Sequence, residues 1–376
     1  MINAEEGRAV KTGARRLDRP GSARLVDGLG GRMERMKVTS HDVAERAGVS
    51  RATVSMVLNG STAVSISTQT RERVLQAAAE LGYRPNSAAR MLVRGDTETI
   101  GLVATDPALL NVDGFVPQLL YGITRVNRDH GYGVLLEVVE KGGAPNVYTD
   151  LVRSRRIDGM IVLNPASNDQ ALHGLIEDGY PLVLLGSVGH PREHAVNFSN
   201  RRAIQSAVDH LVGLGHRRIG HIGFSAMGNI ATDRRLAAYQ DSLVSHGIQP
   251  EPDLVGFAHH SAESGFTAMQ ALLARARRPP TAILAGNDTI ALGILAAIEA
   301  AGLRVPEDIA VIGFDDLPIA AYTRPALTTI RNPAIEQGEA AARMLIRLLK
   351  REVVEPSRIV FGTELVIRAS SGGMVG

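Results

Sequence analysis

Residues 39–58, TSHDVAERAGVSRATVSMVL, constrain this chain more tightly than any other stretch. Two short helical patterns flank a single glycine. Thr39 is placed to cap the first, with Asp42 three residues on as the reciprocal capping acid. Val43, Ala44 and Ala47 then share one apolar face. Gly48 supplies the left-handed residue that a tight turn needs. Ser50 can cap the second pattern, whose core face is Val54, Val57 and Leu58. Arg51, Ala52, Thr53 and Ser55 are left pointing outward at its start. A small helix pair whose second member begins with a polar, basic edge has the geometry that enters a DNA major groove.

The charge distribution agrees. The whole chain carries a net charge of only +2. Residues 1–95, however, hold 16 Lys/Arg against 9 Asp/Glu, and the remainder holds 25 against 30. A basic head on an acidic body suits a polyanion-binding end attached to an ordinary globular module. With 376 residues, 44% of them hydrophobic, there is material for two or three domains with large cores. The absence of Cys excludes disulfides and thiolate chemistry and fits a cytoplasmic location. No run of about 18 apolar residues suggests a membrane span. The polar N-terminus lacks the apolar segment of a secretory signal.

Residues 1–36 show no periodicity and read as a disordered leader; Met33 or Met36 is a plausible alternative start. Residues 37–84 contain three helical patterns, the third near Thr68–Leu81 with Val74, Ala77, Ala78 and Leu81 at core spacing and Gly82 as its stop. Residues 85–96 form a separate short element opened by Pro85 and closed around Gly95. From 97 to 372 short β-rich runs alternate with amphipathic helical patterns. The runs include TIGLVAT, GVLLEVV, GMIVLNP, PLVLLG, RIGHIGF, AILAG and AVIGF. The helical patterns cover 116–129, 201–214, 234–246, 263–275, 290–301 and 334–350. Such alternation predicts parallel sheets covered on both faces, and the number of units exceeds one sheet. The fold class is therefore α/β: an all-α helix-turn-helix head plus two doubly wound parallel-sheet subdomains with a cleft between them.

The residues carry a family pattern as well. DVAERAGVSRATVSMVLN followed by VLQAAAELGYRPNSAARML resembles the start of LacI/GalR-type bacterial repressors. HLVGLGHRRIGHI, DRRLAAY, AILAGNDTIALGILAAIEAAGLRVPEDIAVIGFDD, PALTTIRNP and ELVIRAS continue that resemblance in family order from about residue 37 to 372. The resemblance implies a helix-turn-helix domain at 37–84 and a hinge helix at 85–96. It further implies a body like periplasmic sugar-binding proteins at 97–372. The N-subdomain then spans about 97–198 plus 331–360, and the C-subdomain about 199–330 plus 361–372. It also implies a homodimer on double-stranded operator DNA whose affinity answers to a small molecule. The end of the chain, without a trailing heptad segment, favours a dimer over a tetramer.

By the same resemblance, Thr39, Ser50, Arg51, Ala52, Thr53, Ser55 and Asn59 face DNA, with Arg51 and Ala52 carrying most of the discrimination. Arg51 either pairs with a guanine edge or holds a phosphate. Segment 86–93 is too short for a stable isolated helix, since those below about 12–15 residues are marginal. Family members fold this hinge on DNA and wedge a leucine into the minor groove; Leu92 matches it, with Asn86, Ser87 and Arg90 on phosphates.

Effector contacts match Arg235, Asn287 and Asp315, a donor and acceptor set suited to sugar hydroxyls. Arg235 has the alternative of an ion pair with Asp233 or Asp288. His260 either stacks on a ligand or sits on an exposed loop, and Asp106 follows the first strand, where it could reach the cleft from the other side. Ser199-Asn200 and Ala238 depart from the family habit and leave the effector's identity open, between a sugar or sugar derivative and a nucleobase-type corepressor. His210, His216 and His221 are spaced by 6 and 5 residues, which does not place them on one helix face, so no metal is expected. No catalytic motif or cofactor loop occurs; the first strand runs into TDPALL rather than a glycine-rich turn, which disfavours a Rossmann-type enzyme. A free solute-binding protein would need the body alone and leaves the helical head unexplained.

Overall fold

The computed structural model describes residues 38–58, 65–84, 95–105, 107, 110, 114–139, 147–166, 169–224 and 230–372. The chain divides into two compact units between residues 86 and 87. The first is built from α1 (Ser40–Ala47), α2 (Arg51–Leu58) and α3 (Thr68–Leu81). The capping box forms: the Thr39 hydroxyl accepts from the His41 N–H, and the Asp42 carboxylate accepts from the Thr39 N–H at 2.7 Å. These bonds hold the exposed Asp42 carboxyl below its ordinary value. Gly48 turns the chain at φ 64°, and its N–H closes on the Ala44 and Glu45 carbonyls. Ser50 Oγ accepts from the Thr53 N–H at 3.1 Å and starts α2. The core beneath is small, with Val43, Ala44, Ala47, Val54, Val57, Val74, Ala77 and Ala78 buried together. An exposed Arg46–Glu80 bridge at 2.8 Å ties α1 to α3 but contributes little beyond orientation.

The body begins with β1 (Thr99–Ala104), α4 (Phe115–His130), β2 (Gly133–Val138), α5 (Val147–Arg153), β3 (Gly159–Leu163), α6 (Gln170–Glu177), β4 (Leu182–Leu185) and β5 (Ala195–Phe198). The chain then crosses into a second sheet. This contains α7 (Asn200–Gly213), β6 (Ile219–Phe224), α8 (Ile230–Ser245), β7 (Val255–Ala258), α9 (Ala262–Arg275), β8 (Ala282–Ala285), α10 (Asp288–Ala300), β9 (Ala310–Asp315) and β10 (Thr328–Arg331). It returns to the first lobe through α11 (Ala334–Leu349) and β11 (Arg358–Phe361), and ends in the second with β12 (Glu364–Val366). The strand orders are β11-β5-β4-β3-β1-β2 and β12-β10-β9-β8-β6-β7. All pairings are parallel except β10 with β12. The parallel expectation is thus corrected at one edge: a short 362–363 connection leaves no room for the crossover that a parallel partner would require. The crossings also put Arg331 in the second sheet and Phe361 in the first, one residue from the expected limits.

Alternate residues of each strand feed two cores. In β3, Ile161 and Leu163 pack beneath α4 and α11, whereas Met160 and Val162 pack against α5 and α6. In β8, Ile283 and Ala285 face α9 and α10, whereas Ala282 and Leu284 face α7 and α8. Burial on both faces is why these strands read as unbroken apolar runs. The helix pair α4/α11 crosses at Gly122 and Gly338, where a Cβ would run into the Ile335 and Leu119 carbonyls. The pair α9/α10 crosses at Gly265 and Gly293, against the Ile290 and Ala262 carbonyls. No helix among the described residues is long and apolar enough to cross a membrane.

Candidate DNA-binding helix and interlobe cleft

In the head, Arg51, Ala52 and Ser55 are exposed on α2 and Thr53 is half-buried. Ser50 Oγ and Thr53 Oγ1 lie 2.9 Å apart, so both hydroxyls are oriented by the cap. Thr39 is exposed at the start of α1, its hydroxyl bonded to Asp42. Val54 and Val57, on the opposite side of α2, anchor it to the core. The helix therefore presents a small polar surface with one cation. Asn59, Asn86, Ser87, Arg90, Leu92 and Asp106 lie outside the described residues.

The body holds a cleft of about 840 Å³, counting its open mouth, between the carboxyl ends of the two sheets. Arg235, His260, Asn287 and Asp315 all line it. Arg235, on the first turns of α8, is only 5% exposed. Its Nε donates to Asn200 Oδ1 at 2.8 Å and its Nη1 to the Gly286 carbonyl at 2.7 Å. The guanidinium carbon lies 3.5 Å from the centroid of the Phe314 ring and 4.9 Å from that of Phe224, a cation–π seat. Asp288 is not its partner: that carboxylate accepts from Thr329 Oγ1 and the Leu317 N–H. Burial pushes Asp288 up to about 7 despite those bonds.

His260 is buried rather than exposed on a loop, with its ring 4.8 Å from Phe224. Asn287 caps α10 through Oδ1, which accepts from the Ile290 N–H at 2.7 Å. Its Nδ2 is buried and has no hydrogen-bond partner among the described residues. Asp315 ends β9 and accepts from Asn332 Nδ2 at 2.9 Å; Asn332 Oδ1 in turn accepts from Gln337 Nε2 at 2.5 Å. This relay runs from the second sheet to α11 on the first. Gly114 meets Leu317 from the other lobe, where a Cβ would come within 2.9 Å of Leu317 Cδ1.

Three of the seven non-glycine residues with positive φ among the described residues lie in the same place. Asn164, His260 and Asp315 line the cleft with φ of 52°, 60° and 108°. Left-handed backbone at residues other than glycine is unfavourable, and it concentrates where side chains must be aimed. Asn164, Asn197, Asn332 and Gln337 also line the cleft, and the sequence reading missed them. Asn164 directly follows an apolar strand, the one local sign that could have marked it. Gln337 sits inside a helical pattern and carries none.

The histidines of HLVGLGHRRIGHI part company. His210 reaches Ser371, His216 reaches Thr281, and His221 is buried in β6 with Nδ1 donating to the Leu284 carbonyl at 2.9 Å.

Known proteins share this arrangement. Residues 39–86 match the profile of bacterial regulatory proteins, lacI family, and residues 208–371 match that of a periplasmic binding protein-like domain. The chain is 34% identical over 340 residues to the HTH-type transcriptional regulator CelR of Thermobifida fusca, covering 89% of this chain and 99% of the relative. It is 33% identical over 335 residues to the HTH-type transcriptional repressor CytR of Escherichia coli (strain K12), covering 89% and 96%. Among solved structures, a Lac repressor dimer bound to operator and the anti-inducer ONPF superimposes with a TM-score of 0.77 at 31% identity, covering 89% of this chain and 99% of that one. A CelR–cellobiose complex gives 0.67 at 33% identity with the same coverage. With its helix-turn-helix head, its binding-protein-like body and no enzyme among these relatives, the chain belongs to the LacI family of DNA-binding transcriptional regulators.

Proposed function

We propose that the protein is a homodimeric cytoplasmic repressor whose operator affinity is set by a sugar or sugar derivative held in the interlobe cleft. Residues 37–84 read the operator, 85–96 act as the hinge, and 97–372 bind effector and partner subunit. In this reading Arg51 pairs with a guanine edge, Ala52 and Ser55 contact neighbouring bases, and Thr39, Ser50, Thr53 and Asn59 hold phosphates or bases. Leu92 wedges the minor groove, with Asn86, Ser87 and Arg90 on the backbone. Asp106, Arg235, His260, Asn287 and Asp315 hold the effector.

The observation that carries the effector site is Asn287. A buried donor left unsatisfied costs about 1–3 kcal/mol, and a ligand oxygen in the cleft removes that cost. Arg235 is held rigid by its two hydrogen bonds and the Phe314 ring, so it can orient a hydroxyl with little loss of side-chain freedom. The relatives support the class: their structures hold cellobiose and the anti-inducer ONPF. A coupling of about 1–3 kcal/mol between cleft and operator would change DNA affinity roughly 5–150-fold.

The test joins both ends. Operator fragments selected from genomic DNA are titrated against the full chain, with and without a panel of sugars and nucleosides ranked by thermal shift; a ligand bound only by the native state raises the melting temperature. Arg51→Ala should lose about 1–3 kcal/mol at one symmetric operator position and nothing on unrelated DNA. Equal loss on every sequence would contradict base reading, and a response to nucleosides alone would replace the sugar.

A further inference from the structure

Two adjacent arginines of α8 line the cleft, and they are used differently. Arg235 is bonded to protein atoms on two sides. Arg234 is exposed and makes no hydrogen bond or ion pair among the described residues. It lines both the interlobe cleft and a second cavity of about 710 Å³, counting its open mouth, and the two share Phe198, Asn200 and Arg234. The side cavity adds Arg201, whose carboxylate partner Asp241 lies 3.3 Å away.

Among the described residues the charges do not balance. The described lining of the cleft has two guanidinium groups against one carboxylate, Asp315, and one of that carboxylate's oxygens is taken by Asn332. Helices α4, α7 and α10 all start at the cleft, so three positive helix ends add to the excess. A neutral sugar satisfies Asn287 and leaves this field unanswered. A guanidinium fork matches a carboxylate or phosphate through two parallel hydrogen bonds.

We infer that the effector carries an acidic substituent, and that Arg234 is the specificity-determining residue that holds it where the cleft opens into the side cavity. The inference rests on the sugar-effector reading and narrows it to acidic sugars. Carboxylate and phosphate share the required chemistry.

The experiment uses the full-length protein and matched ligands: glucose, glucuronate and glucose 6-phosphate; galactose and galacturonate; cellobiose and cellobionate. Binding is measured by calorimetry at two salt concentrations, with sodium phosphate and sodium acetate alone as controls. An acidic member should bind at least about tenfold more tightly than its neutral parent, and more weakly in high salt. Arg234→Gln should abolish that preference, and Arg234→Lys should restore part of it; the free protein's melting temperature is the folding control. The uronate and phosphate arms tell which acid is recognised.

A neutral parent that binds as tightly as its acid, or an Arg234→Gln protein that keeps the preference, overturns the inference while leaving the sugar reading intact. An equal response to phosphate or acetate alone means an adventitious ion only and also overturns it. Binding of nucleosides with no sugar bound removes both.

Discussion

The two lobes of the body have the same scaffold and different chemistry. Each has a six-stranded sheet in the same winding order, covered by helices on both faces, and each has one helix pair crossing at opposed glycines. The groups that line the cleft are not shared evenly. Among the described residues the first lobe contributes Asn164, Ser187 and Asn197, all neutral. The second contributes Arg234, Arg235, His260 and Asp315. Among the described residues one lobe supplies the charged contacts and the other a neutral wall, with Asp106 as the one charge proposed for the first lobe, so scaffold stability and ligand chemistry can be altered separately in two copies of one architecture.

The scaffold half of that comparison has the largest expected effect. At Gly293 and Gly338 a methyl group would collide with backbone carbonyls, which cannot rotate away as a side chain can. Gly293→Ala and Gly338→Ala should each cost about 3 kcal/mol, the upper end for overpacking, read from urea midpoints. Similar losses in both lobes would establish that the two crossings are equivalent. Tolerance in one lobe would break the equivalence.

What could be read from the sequence follows the same division. The head is local: caps, turn glycine and apolar face lie within twenty residues, so residues 39–58 specify it directly. The central strands are legible because burial on both faces makes them apolar throughout. Strands β5, β7, β10, β11 and β12 are edge or short elements with partly exposed residues, and their sequences AVNF, VGFA, TTIR, RIVF and ELV carry no clear period. The helix Val147–Arg153 was missed because it has only seven residues, and Gln170–Glu177 because it has only eight. Within the cleft, Arg235, Asn287 and Asp315 came from motif resemblance. Asn332 and Gln337 did not, because their placement depends on a crossover and a helix that only the fold brings back to the cleft.

The chemical half of the comparison predicts a smaller, asymmetric effect. Arg235→Ala should cost about 2–3 kcal/mol, because it strands the Asn200 and Gly286 oxygens and empties the space over Phe314. The effector response should disappear with it. Asn197→Ala, on the facing lobe, should change stability by no more than about 0.5 kcal/mol. Equal costs at the two positions would mean that the lobes share the work of the site, and the asymmetry drawn above would be wrong.

The weakest expected effect separates two buried groups within the second lobe. Burial pushes Asp288 up to about 7 from 3.8. Burial pushes His221 down to about 4 from 6.5, with its ring stacked on Tyr239 at 5.3 Å. Between about pH 4 and 6.5 the folded chain keeps the Asp288 proton that the unfolded chain has released, so this group makes stability fall as pH rises. Over the same window the unfolded chain binds a proton at His221 that the folded chain refuses, so this group makes stability rise with pH. The two contributions oppose each other; His194, His210 and His216, which burial also lowers, add to the rising one, and only the falling one persists from 6.5 to about 7. Asp288→Asn should therefore unmask a rising profile, and His221→Gln should tilt the profile toward falling, in urea unfolding between pH 4.5 and 7.5. Among the described residues the other displaced carboxyls, Asp42, Glu80 and Asp308, are all shifted downward, so a falling profile points to Asp288 alone. An unchanged profile in Asp288→Asn would show that the charge on this carboxyl does not enter the stability of the second lobe.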